Sequence, residues 1–419
     1  YGSYWGHPLT MYVFVGGTAI ARVLHAEQVV VLNLLAVLFG TFSVWAFFLI
    51  AARFRNAATA VFASLALVFS PGFLEFSTYL SHEIIGLAFA LWAIVFFLRQ
   101  LESRSRPVAF LFGLFLAATW CARPNALFFI GPPLLVLLLA HLKERRDLLP
   151  LLKLIPFMLL GAVVCFGAVY RPTLVHHLFS YSSNFFATFY RFGMYYEHTF
   201  ATVLSALTIV LLILLLAATG FLVSRRNYLL VLFSGTWILT AALFYTGMFV
   251  VNRYFLILLP PSLLLIFVAG DELDLLLFRN KRLAAPAKSA IFLLLILGAL
   301  GVNLPNLLYM RNNNDDKRSA TAIGAVVGQN LLFTTAPEPI ILFYNRENPP
   351  ETVYLVNEHS PGVIQIDLDK LHLAQQHMRQ GRPVYLTEEI IRHLQYAPVE
   401  AQYDLVLEFF FKRNRNFRS

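Results

Sequence analysis

The chain is 419 residues long, 58% hydrophobic and only 13% charged, with a mean hydropathy of +0.68. A soluble globular chain carries roughly twice that share of charge, so composition excludes an ordinary soluble fold. The formal net charge of +9 does not point to nucleic acid, because the basic residues are distributed as a membrane-topology signal.

Ten apolar stretches are long enough to approach the ~20 residues of a membrane-spanning helix. They cover 29–52, 57–76, 83–98, 107–122, 125–142, 151–169, 201–223, 228–250, 254–270 and 289–307. The loops between them alternate. One set holds Arg53, Arg55, Arg99, Arg104, Arg106, Lys143, Arg145, Arg146, Arg225, Arg226, Arg279, Lys281, Arg282 and Lys288; the other holds only Arg123, Arg171, Arg191 and Arg253. Fourteen against four in strict alternation makes the first set cytoplasmic. Residues 1–28, 170–200 and 311–419 are then expected outside the cytoplasm. Because the first strong span runs outside-to-inside, at least one further helix is expected upstream of Tyr1.

The first segment holds Trp5, His7, Pro8 and Leu9, then an apolar run ending near Arg22 and His25. Its aromatic residues suit headgroup depth, so an interfacial helix is expected within the outer loop 1–28. A second outer turn contains Glu75 and then Ser81-His82-Glu83 at the start of a span. An acid at the lip of a membrane helix is costly unless it faces a polar cavity or a partner. The next outer turn is Ala122-Arg123-Pro124-Asn125, and a later one is Val251-Asn252-Arg253-Tyr254. Each carries a lone arginine against the positive-inside bias. Two arginines at one membrane depth near an acid suit an anionic group. The long outer loop 170–200 interleaves Phe with His176, His177, Tyr190, Arg191 and His198. It reads either as an interfacial helix or as a lid over a lipid-linked substrate. Cys121 and Cys165 lie in spans and show neither metal spacing nor a disulfide pattern.

Composition changes near residue 311, where Arg311–Arg318 reads as a polar linker. Apolar strands are expected at 339–344, 352–356, 383–387 and 403–411, with helices over 368–380 and 388–394 and Gly381 just past the first. The fold class expected is thus a polytopic α-helical membrane domain over 1–310, with a small extracytoplasmic α/β domain over 311–419. The α/β domain holds no phosphate loop or nucleophile elbow, so acceptor recognition or support is its expected role.

The order of these features carries a resemblance. His7-Pro8-Leu9 before an amphipathic segment, an acid opening a later span, Arg123-Pro124, Arg253-Tyr254 and an α/β tail together resemble the GT-C superfamily of integral-membrane glycosyltransferases. The bacterial branch with aminoarabinose–lipid A transferase and protein O-mannosyltransferase-like proteins is the nearest likeness. The resemblance implies an inverting enzyme of the bacterial inner membrane, with its α/β domain in the periplasm. It implies transfer of a sugar from a polyprenyl phosphate to a lipid, glycan or protein acceptor. It assigns Glu83 to the family's second outer-loop acid, normally Asp, and a catalytic role. It assigns His7, Arg123, Arg253 and Tyr254 to substrate binding. The family's His-Pro-Pro-Leu-like motif lacks its second Pro here, Thr10 follows Leu9, and no acid precedes Glu27. The primary catalytic Asp is therefore expected upstream of Tyr1. A divalent cation is left open, since no complete site is visible. Two other classes remain from the residues themselves: a transporter or flippase for a lipid-linked solute, and a non-catalytic membrane subunit.

Overall fold

The structure is a computed structural model. It describes residues 8–78, 80–145, 149–169, 211–247, 252–277 and 315–333, and parts of 351–386. The chain divides into two compact units, Tyr1–Pro305 and Asn306–Ser419.

The first unit is helical. Its described helices are α1 (Pro8–Val23), α2 (Gln28–Phe54), α3 (Ala57–Phe69), α4 (Pro71–Phe76), α5 (His82–Ser103) and α6 (Arg106–Ala122). They continue as α7 (Ala126–Arg145), α8 (Leu149–Leu152), α9 (Ile155–Val169), α10 (Leu211–Ser224) and α11 (Tyr228–Tyr245). A 3-10 segment, Asn252–Leu258, then leads into α12 (Leu259–Leu277). Six stretches among the described residues are long and apolar enough to cross a membrane: Gln28–Phe54, His82–Ser103, Ala126–Glu144, Leu149–Val169, Tyr228–Tyr245 and Phe255–Leu273. The chain is a multi-pass membrane protein. Four further apolar helices, α1, α3, α6 and α10, are shorter. The expected span 289–307 lies outside the described residues.

Several expected spans end differently, for local reasons. The stretch 57–76 breaks at Ser70-Pro71 into α3 and α4, because Ser70 is extended (φ −68°, ψ 141°) ahead of a residue with no N–H to donate. The stretch 254–270 begins as the 3-10 segment and becomes α-helical at Leu259, with Pro260 and Pro261 in the first turn, where a missing N–H costs least. Within the stretch 228–250 the helix starts at Tyr228 and ends at Tyr245, with a turn at Thr246-Gly247.

Burial separates the helices into two groups. In the apolar windows of α5 and of the 255–273 span, 83% of residues are buried, against 22–39% in the other four. Those two form the centre, and the rest present apolar surface outward, as lipid contact demands. Around α5 pack α2, α6, α7 and the 3-10 segment. Trp92 of α5 stacks on Phe42 of α2 at 4.7 Å, and its Nε1 donates to the Phe42 carbonyl at 3.0 Å. The α6–α9 crossing is closer still. A Cβ on Gly113 would lie 1.9 Å from the Met158 carbonyl oxygen, and one on Gly161 would lie 2.1 Å from that of Phe110. Small residues of this kind let membrane helices meet backbone to backbone. Near that crossing, Cys121 and Cys165 are free thiols in one buried cluster, with their side chains in hydrogen-bonding contact.

One face of the bundle is tied by charge. Arg55 Nε donates to Asp271 Oδ2, and Asn56 Nδ2 donates to the same oxygen at 3.3 Å. Asn227 Nδ2 donates to Glu272 Oε1 at 3.2 Å. These contacts join the end of α2, the starts of α3 and α11, and α12.

In the second unit, helix α13 (Asp315–Val327) starts inside the stretch expected as a linker. The register explains the difference: Ile323 and Val327, one turn apart, pack with Leu332 and Tyr385. Strand β1 (Leu331–Phe333) is central in a parallel sheet between β2 (Glu351–Val353) and β5 (Val384–Leu386). A separate antiparallel pair joins β3 (Val356–Ser360) to β4 (Val363–Ile366). Gly381 adopts φ +73°, the left-handed conformation that closes a helix end. The expected strands 339–344 and 403–411 and the helix 388–394 lie outside the described residues.

Candidate active site

The site is built at the N-terminal end of α5. Ser81 is the N-cap, and its Oγ accepts from the Ile84 backbone N–H at 3.4 Å. Glu83 follows in the first turn and is fully buried. The positive end of the helix dipole favours a carboxylate there. His82 Nε2 lies 3.0 Å from Glu83 Oε1. An acid placed so deeply is costly in an apolar bundle, which is why its surroundings matter.

Arg123 arrives at the same end of α5 from α6, of which it is the C-cap. Its backbone N–H donates to the Thr119 carbonyl at 2.7 Å, and its side chain is 1% exposed. That side chain lies across Gly86, one turn past Glu83. A Cβ on Gly86 would sit 2.7 Å from the Arg123 Cβ and 3.3 Å from its Cδ. Arg123 Nε donates to Asn125 Oδ1 at 3.0 Å, and Nη2 donates to the Tyr245 hydroxyl at 2.7 Å. Glu83 and Arg123 are therefore neighbours in depth along one helix.

Tyr245 closes the arrangement. It ends α11 and is fully buried. Its ring meets Phe129 of α7 and Phe255 of the 3-10 segment, each at a centroid distance of 5.2 Å. The 3-10 segment packs on α4, α5 and α11 and carries Arg253 and Tyr254 in its backbone. The side chains of those two residues, and His7 altogether, lie outside what is described. Thr10, three residues past His7, donates its hydroxyl to the Ala122 carbonyl at 3.4 Å, which brings the start of α1 beside the Arg123 turn. Among the described residues, no group of three or more His, Cys, Asp or Glu could hold a metal ion.

Tyr245, Gly86 and the bond from Arg123 to Asn125 are not among the residues that the sequence pattern singles out. Tyr245 lay five residues inside the expected end of its span, so nothing marked it as polar contact. Asn125, two residues after a lone outer arginine, was a usable signal, because a tight turn brings such a pair together.

The family model for dolichyl-phosphate-mannose-protein mannosyltransferase matches residues 7–176. The fold is similar to that of ArnT from Cupriavidus metallidurans. The apo crystal structure aligns with a TM-score of 0.60 at 16% identity, covering 94% of this chain and 84% of that one. The same protein bound to undecaprenyl phosphate aligns at 0.58 and 16%, with the same coverage. No curated protein matches by sequence. The chain has a GT-C-type fold and resembles the GT-C superfamily of integral-membrane glycosyltransferases, the likeness its motifs carry.

Proposed function

We propose that the chain is a glycosyltransferase that moves a sugar from a polyprenyl-phosphate donor to an acceptor hydroxyl on the extracytoplasmic side of a bacterial inner membrane. The observation that carries the reading is the burial of Glu83 and Arg123 at one end of α5, beside the segment that bears Arg253. The family model and the fold support it.

The chemistry assigns the parts. An acceptor hydroxyl must lose a proton as it attacks the anomeric carbon, and a carboxylate serves as general base or orients the group that does. Glu83 takes that role among the residues described. As the glycosidic C–O bond breaks, charge accumulates on the leaving phosphate, and fixed cations placed there favour the transition state over the ground state. Arg123 and Arg253 take that role. His7 and Tyr254 complete the substrate-binding set as hydrogen-bonding groups. Inversion follows from a single displacement. Acceptor recognition or support is the role that falls to residues 311–419, which hold no acid–base constellation of their own.

Transfer from a radiolabelled polyprenyl-phosphate sugar into membranes containing the full-length protein tests the reading. Arg253→Ala removes one charge-assisted phosphate contact and is expected to cut transfer by ~10²-fold. Lys restores only part, lacking the bidentate fork. Cysteine labelling at engineered positions in 311–419 from the cytoplasmic side alone would place the site in the wrong compartment. Undiminished transfer by Arg253→Ala would remove that residue from the site.

A further inference from the structure

Tyr245 touches three parts of the candidate site with one side chain. Its hydroxyl accepts from Arg123 Nη2 at 2.7 Å across 122 residues of sequence. Its ring packs against Phe129, near the start of α7, at 5.2 Å and 57°. The same ring meets Phe255 edge-on, at 5.2 Å and 67°. Phe255 is two residues beyond Arg253 in the 3-10 segment. The two arginine-bearing segments are thus joined through a single buried phenol.

The kind of bond matters. Asn125 Oδ1 accepts at Nε and Tyr245 at Nη2, from two directions around one planar guanidinium. Both acceptors are neutral. They fix the plane of the cation without cancelling its charge, whereas a carboxylate in either place would do both. Gly86, with no Cβ, lets the Arg123 stem lie directly against α5. A cation pre-oriented in this way has little reorganisation left to do when negative charge develops nearby.

We propose that Tyr245 is a positioning residue for Arg123. Its hydroxyl orients the guanidinium toward the anionic leaving group, and its ring holds the Arg253 segment in register with it. The inference rests on the transferase reading. A role in packing alone belongs to the ring and not to the hydroxyl, which is the basis of the test.

Tyr245→Phe keeps the ring and deletes only the hydroxyl. In full-length protein the expected result is a fall of about tenfold in kcat/KM for the polyprenyl-phosphate sugar, the loss of one charge-assisted hydrogen bond. In an Arg123→Met background the same change is expected to have no further effect on transfer, since the guanidinium it orients is gone. Unchanged kcat/KM for Tyr245→Phe, or an equal fold-loss in both backgrounds, would overturn the proposal. Wild-type protein with no transfer and no binding of undecaprenyl phosphate would sink the transferase reading instead. The coupling is then decided by thermal midpoints of the same four proteins. A Tyr245→Phe shift that vanishes with Arg123→Met sustains the pairing, and equal shifts in both backgrounds refute it.

Discussion

Gly86→Ala sets two effects of opposite sign against each other. In a helix interior, alanine is better than glycine by ~1 kcal/mol, so backbone propensity alone predicts a more stable protein. The added methyl, however, would stand 2.7 Å from the Arg123 Cβ, where ordinary contact begins at 3.4 Å. About 0.7 Å must be found, and a Cβ moves only with its own backbone. The Arg123 backbone is held by the bond to Thr119, and its guanidinium by Asn125 and Tyr245. Overpacking of this kind costs ~1–3 kcal/mol, and a displaced charge-assisted bond about 1.5–3 kcal/mol more. The clash wins, by roughly 2 kcal/mol or more. The expected outcome is a lower thermal midpoint in detergent together with a loss of donor transfer larger than the loss of folded protein explains. Gly235→Ala in α11 is the internal control, because a Cβ there meets nothing within 4 Å. If Gly86→Ala proves as harmless as Gly235→Ala in both assays, the placement of Arg123 against α5 is wrong.

The α6–α9 crossing offers a second test. Gly113→Ala and Gly161→Ala each drive a methyl into a carbonyl oxygen at about 2 Å, and backbone cannot rotate aside, so both variants should lose monodisperse protein on size exclusion; normal yield of either would refute the crossing. In the Arg55 cluster, Asp271→Asn keeps the shape but strips the charge that Arg55 and Asn56 address. It should lower stability by about 1–3 kcal/mol while leaving transfer per folded molecule intact. A specific loss of transfer with no change in melting would mean that this cluster belongs to the chemistry.

Hydropathy revealed that the chain crosses a membrane many times, because length and apolar composition are sufficient for that. It could not show which spans are central. The α5 and α12 helices are as apolar as their neighbours, and what separates them is enclosure by other helices, a tertiary property. Lipid and protein interior look alike to a Leu or Phe, so amphipathic periodicity, the usual guide, is absent. Helix α13 was hidden by the polar run at its start; its Ile323–Val327 stripe gains meaning only from Leu332 and Tyr385. At the site, Glu83 and Arg123 stood out because a charge at a membrane lip is expensive wherever it points. Tyr245 did not, since a single tyrosine five residues inside an expected apolar span carries no polar signal. Its role depends on α11 ending at Tyr245 and on an arginine 122 residues away.

Two polar regions among the described residues of the bundle hold an arginine in different ways. At Arg55 the solution is neutralisation: a carboxylate buried to 5% exposure sits directly on the guanidinium, with Asn56 adding a second donor to the same oxygen. Nothing more is needed to hold helix ends together, and such a pair has no reason to meet a further anion. At Arg123 a buried guanidinium donates to a phenol and an amide, neutral groups that orient it. In a low-dielectric bundle the arrival of an anion beside such an oriented cation is favourable. Glu83, close by along α5, limits that arrival to a group able to share the space with a carboxylate. A phosphate leaving the anomeric carbon while a hydroxyl attacks the same carbon from the opposite face meets that condition, because the bond that forms and the bond that breaks lie on opposite sides of one carbon. A simple anion carrier would gain from removing Glu83, whereas a transferase would lose its acid. Glu83→Gln therefore separates the two. Tighter binding of undecaprenyl phosphate with transfer abolished fits the enzyme, and tighter binding with transfer unchanged refutes it.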